Sequence, residues 1–125
     1  MVLTSQATPL DYLEYLKRRG IAHLTVGKDR IDLSAALDLL QARYGVQSVR
    51  TDCGGRLNGA LLAAGLVDEV AVIINPSLAA NPRSQSFVTL AHAVSPGALP
   101  LALRQVDRLN DGAVWLRYET RQRHP

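Results

Sequence analysis

The sequence predicts an α/β fold: a mixed, mainly parallel sheet flanked by helices, ending in a C-terminal antiparallel hairpin. Three observations predict it. Short apolar, β-branched runs alternate with segments of helical periodicity, giving the order α-β-α-β-α-β over residues 9–74. The run Val70–Ile74 is apolar without alternation, which implies a strand covered on both faces, as in a sheet flanked by helices. Last, Leu101–Leu109 and Ala113–Thr120 have strand composition and are joined by Asn110-Asp111-Gly112, a hairpin signal.

The elements follow in order. Met1–Thr8 is a lead-in. Thr8 is placed as N-cap of the first helix and Pro9 as its first residue, because proline gives up a donor that the first turn leaves unused anyway. Leu10, Leu13 and Leu16, with Tyr12 and Tyr15, keep helical spacing until Gly20. Ile21–Val26 is a strand, followed by a solvated turn over Gly27–Arg30. Asp32 or Ser34 caps a second helix bearing Leu33, Ala36, Leu37, Leu40 and Tyr44, and Gly45 closes it. Val46–Thr51 is the next strand, and Arg56–Ala64 the third helix, ended by Gly65. Residues 75–84, with Pro76 and Pro82, are a loop, and Phe87–Val94 is a further strand.

The 125 residues are expected to form one domain, residues 1–125. With 47% hydrophobic and 20% charged residues the composition is that of a globular protein; at 5% aromatics, its core is aliphatic. The net charge of +3 is spread along the chain, except for Arg117, Arg121, Arg123 and His124 near the end. A nucleic-acid protein concentrates basic residues on one face among aromatic platforms, so no nucleic-acid partner is expected. One cysteine forbids an intrachain disulfide and fits the cytoplasm. No charged segment followed by an apolar core opens the chain, so no signal peptide is expected. No run approaches the roughly 18 apolar residues of a membrane helix, so no membrane association is expected.

The most informative stretch is Val49-Arg50-Thr51-Asp52-Cys53-Gly54-Gly55-Arg56-Leu57-Asn58-Gly59-Ala60. A strand emptying through two glycines into a helix brings backbone N–H groups close to a phosphate, aided by the helix dipole. Open α/β sheets place ligand contacts where their strands end, as Asp52 does here. The same residues have plainer uses. Gly54-Gly55 serves equally as a strand-to-helix turn, Asp52 as an N-cap, and Asn58 as a partner for backbone. Cys53 reads as a small buried hydrophobe, since no histidine stands near it. Asp68 and Glu69 are neighbours that point apart, suited to turn capping or to pairing with an arginine. His23, His92 and His124 are too scattered for a metal site, and no metal is expected. Trp115 is placed in a core or a dimer interface.

Asp52-Cys53-Gly54-Gly55-Arg56-Leu57-Asn58, then Leu61-Leu62-Ala63-Ala64-Gly65-Leu66-Val67-Asp68-Glu69-Val70, then Ile73-Ile74-Asn75-Pro76 resemble the reductase domain of the bifunctional deaminase-reductase family of riboflavin biosynthesis. Weaker similarity covers Thr8–Gly45 and Asp111–Tyr118. The resemblance implies the later portion of a dihydrofolate-reductase-like domain, without its N-terminal half. It also implies an NADPH-dependent oxidoreductase that reduces the ribosyl group of a pyrimidine ribosylamino phosphate to ribityl. Asp52 would contact substrate. Gly54, Gly55, Arg56, Leu57, Asn58, Gly59 and Ala60 would line the cofactor. No acid or base is assigned. The alternative is a shortened, non-catalytic relative that acts as a nucleotide-binding or oligomerisation module. Absent first strands would expose a sheet edge, so a homo-oligomer, dimer or larger, is expected.

Overall fold

A computed structural model describes residues 1–78, 86–89 and 99–120, and the chain divides into two compact units, Met1–Thr51 and Asp52–Pro125. The first contains β1 (Val2–Thr4), α1 (Leu10–Arg18), β2 (His23–Thr25) and α2 (Leu33–Tyr44). β1 lies in the segment expected to be a lead-in; it pairs in parallel with β2, Leu3 opposite Leu24, and the hydroxyls of Thr4 and Thr25 meet at 3.0 Å. Leu24, Val26 and Ala36 form the core, with Leu3, Ala35 and Leu39 against it.

α1 starts one residue later than expected. Pro9, at ψ 140°, is the N-cap, while the Thr8 hydroxyl turns back to accept from Ser5 N–H at 3.0 Å. Leu16 is buried, whereas Leu10, Tyr12 and Tyr15 are exposed. Gly20, in the left-handed region at φ 64°, ends α1: its N–H reaches Lys17 O and that of Ile21 reaches Leu16 O. Asp32 caps α2 by accepting from Ala35 N–H at 3.0 Å, and Gly45 closes it. Val46–Thr51 forms no strand. Its β-branched composition favours extension, but a strand exists only where a neighbour completes the ladder.

The second unit contains α3 (Gly55–Ala63), β3 (Glu69–Ile74), β4 (Leu101–Arg108) and β5 (Val114–Thr120). The strands form an antiparallel sheet in the order β3-β5-β4. Pairing is thus mixed, and among the described residues its parallel share is the short β1–β2 ladder. The hairpin turn lies where expected, with Asp111 at φ 63° and Gly112 at φ 80°. The register aligns Val70, Val72 and Ile74 with Tyr118, Leu116 and Val114 on one face. Glu69, Ala71 and Ile73 share the other with Trp115, Arg117 and Glu119. β3 is therefore not covered on both faces: Val70 and Val72 are half-buried, and Ile73 and Ile74 are more than half exposed. The one-sided polarity comes from β5 and β4, so the β3 run alone does not reveal it. The expected strand Phe87–Val94 is absent over 87–89, and the remainder lies outside the described residues, as do Pro82, His92, Arg121, Arg123 and His124.

Candidate functional site

Residues 52–54 carry the chain into α3, and Gly54 is the N-cap, with φ −71° and ψ 167°. The first helical bond runs from Asn58 N–H to Gly54 O at 3.3 Å. The N–H groups of Gly55, Arg56 and Leu57 precede it, so they are the donors a helix cannot satisfy internally. Among the helices of the described residues only α3 has neither a side-chain cap bond from its N-cap nor an acidic residue in its first turn; α2 has the Asp32 cap and α1 has Asp11. The positive end of the α3 dipole is thus unopposed by its own side chains.

The two glycines have different surroundings. A Cβ on Gly54 would meet nothing within 4 Å. One on Gly55 would stand 2.5 Å from Ser86 O and 2.7 Å from Thr89 Oγ1. Thr89 N–H donates to Gly55 O at 2.8 Å, so residues 86–89 lie directly against the start of α3. Gly55 permits that contact; Gly54 leaves the opposite approach open. Asn58 completes the arrangement, its Nδ2 donating to Cys53 O at 2.9 Å and to Phe87 O at 2.8 Å.

The other expected site residues divide by helix face. Arg56, Leu57 and Ala60 are exposed, whereas Gly59 is buried on the same face as Gly55 and Leu62. Asp52 is exposed, and the N-cap position falls to Gly54 rather than to it. Cys53 is exposed, not a buried hydrophobe, because the chain here runs through an open turn and not between packed layers. Residues 86–89 were not foreseen as part of this region. They reach α3 through main-chain groups and Thr89 Oγ1, and no sequence pattern announces such contacts.

Glu69 finds its arginine in Arg117: Nε donates to Oε1 at 3.0 Å and Nη2 to Oε2 at 2.8 Å. Arg117 Nη1 also donates to Gln105 Oε1 at 3.1 Å, and its guanidinium lies 5.5 Å from the Trp115 ring centroid. The Arg117 hydrogen bonds hold the Glu69 carboxyl below its usual 4.5, and Glu69 in turn raises Arg117. This network joins β3, β5 and β4, and its groups are bound to one another, as befits a structural role. Trp115 is half-buried within it. His23 is exposed on β2. Among the described residues no cluster of three or more His, Cys, Asp or Glu could hold a metal ion, and no helix is long and apolar enough to cross a membrane.

Comparison with solved structures shows the fold. A pyrimidine reductase-like protein from Corynebacterium diphtheriae matches with a TM-score of 0.76 at 20% identity, over 98% of this chain and 50% of that one. Two forms of Acinetobacter baumannii RibD match with TM-scores of 0.69 and 0.70 at 22% and 23% identity, over 86% and 87% of this chain. The chain spans half the length of the first and 28% and 29% of the other two. The likeness agrees with an α/β, dihydrofolate-reductase-like architecture. Residues 1–114 match the family described as the RibD C-terminal domain, and the chain belongs to that family of reductase domains.

Proposed function

We propose that this chain works as an NADPH-dependent reductase of the riboflavin-pathway type, acting on a pyrimidine ribosylamino phosphate whose ribosyl group becomes ribityl. The observation that carries this is the bare start of α3: an N-cap without a side chain, open on the Gly54 side, with no acidic residue in the first turn. Such an end suits a pyrophosphate. The N–H groups of Gly55, Arg56 and Leu57 would hold it, and the exposed Arg56 guanidinium would add a charge-assisted contact. NADPH supplies the hydride when bound; the protein's share is binding and orientation. Asp52, two residues before the N-cap, is assigned to the substrate side by family resemblance.

The test is an NADPH titration followed by melting temperature. Ligand at a hundred times its Kd adds about 2.7 kcal/mol to the folded state. No shift at millimolar NADPH counts against the assignment. Gly54→Glu is expected to abolish the shift and leave the helical signal intact, because the position has room for a side chain. Gly55→Glu is the poorer probe, since it would drive a side chain into the Ser86 carbonyl.

A second reading, a non-catalytic nucleotide-binding or oligomerisation module, rests on the outer strand β4. Leu101, Leu103 and Val106 there are 38%, 54% and 55% exposed. We propose that a second copy covers them, giving a homo-oligomer. NADPH binding without turnover selects the non-catalytic reading, and a clean monomer by light scattering at micromolar concentration removes the oligomer.

A further inference from the structure

We infer that Asn58 is a positioning residue of the phosphate-binding turn, acting through the carbonyls of Cys53 and Phe87 rather than by touching the ligand. The inference rests on the assignment of the α3 start to a pyrophosphate. Two carbonyl oxygens face the Asn58 side-chain nitrogen, at 2.9 and 2.8 Å. Only an NH₂ group can satisfy both, so the orientation of the amide follows from its partners. Each of its two hydrogens has a main-chain acceptor, and neither remains for a phosphate.

The placement explains why an amide belongs there. Asn58 is the fourth residue of α3 and Cys53 the residue before its N-cap. Apolar side chains at those two positions often meet and set the angle at which a chain enters a helix. Here one polar side chain sets that angle by gripping the Cys53 carbonyl. The same amide holds Phe87, 29 residues away in sequence, while Gly55 lets Ser86 and Thr89 close in from the same segment. Residues 86–89 therefore brace the turn on the Gly55 side, and Asn58 is the bolt. The N–H groups of Gly55, Arg56 and Leu57 are aimed as a set because the turn before them cannot swing.

Asn58→Leu keeps the approximate shape and removes both donors. Well below its melting temperature, with its fold verified by circular dichroism, the variant is expected to bind NADPH and ADP-ribose about tenfold or more weakly, by the same factor, since both carry the pyrophosphate. A merely structural role would lower the melting temperature and leave the affinity of the folded protein unchanged; that result overturns the inference. Independently of any variant, ADP-ribose titrated into isotope-labelled wild-type protein should shift the backbone amides of Gly55, Arg56 and Leu57. The Asn58 side-chain NH₂ should stay protected from solvent exchange, with little shift. If that NH₂ shows the dominant shift, Asn58 contacts ligand itself and the inference fails. Loss of binding in Gly54→Glu with wild-type affinity in Asn58→Leu rejects the positioning role alone. No binding of either ligand by the wild-type protein rejects the pyrophosphate assignment and the inference with it.

Discussion

Helices α2 and α3 both begin after a glycine-containing turn, yet they are secured in opposite ways. α2 caps itself: Asp32 accepts from Ala35 N–H, and the turn before it is closed by Gly27, at φ 87°, where a Cβ would lie 2.1 Å from Arg30 O. α3 has no cap side chain and is braced from outside, by residues 86–89 through Gly55 and Asn58. A helix start that supplies its own carboxylate is stable by itself and repels an anion. A start without a cap side chain takes its support from a distant segment, and its first N–H groups are ones the helix itself does not satisfy. The difference marks the α3 start as the candidate site.

The largest expected effect comes from removing that support. Gly55→Ala places a methyl group against Ser86 O and Thr89 Oγ1, and overpacking of this kind costs about 1–3 kcal/mol. Urea denaturation measures it, and an unchanged midpoint would mean that the 86–89 segment does not bear on α3. Next is Asp32→Ala, which strips α2 of its cap and should cost about 1 kcal/mol, with Asp32→Asn retaining most of the stability. A smaller stability change, and a more pointed one, follows from giving α3 what α2 has. Gly54→Asp should stabilise the fold by a few tenths of a kcal/mol at most while weakening NADPH binding, because its carboxylate takes the place of the phosphate. Calorimetry paired with titration checks both halves, and undiminished affinity would detach the cofactor from this turn.

The smallest effect is expected away from both helix starts, at the Glu69–Arg117 pair. Arg117 lowers the Glu69 pKa in the folded state below 4.5. The pair's contribution is therefore complete above about pH 4.5 and fades as pH falls through the lowered value. Glu69→Gln should melt slightly below wild type at neutral pH, and the gap should close in acid. Exposure of both side chains keeps it small. A gap that widens in acid would contradict the sign.

What could be read from the residues was what neighbours in sequence decide. Gly20, Gly45 and Gly65 end α1, α2 and α3 with φ of 64°, 65° and 70°, a conformation that costs other residues a Cβ clash. Asp32 marks the start of α2, and Asn110-Asp111-Gly112 the hairpin. β1 was missed because three residues carry too short a pattern, and Val46–Thr51 was misplaced because β propensity describes a strand only when a partner is present. The Gly54-Gly55 motif was visible, but the two glycines looked alike.

The amino-acid order by itself determined the helix ends at glycine, the hairpin and the place of the Gly54-Gly55 turn, since each depends on φ/ψ preferences and hydrogen bonds within a few residues. Tertiary structure alone decided the rest. It separated Gly54 from Gly55, joined Asn58 to Phe87 across 29 positions and Glu69 to Arg117 across 48. The physical reason is that a carbonyl looks the same in every residue. Which amide it meets depends on how the chain returns, and a local pattern does not encode that.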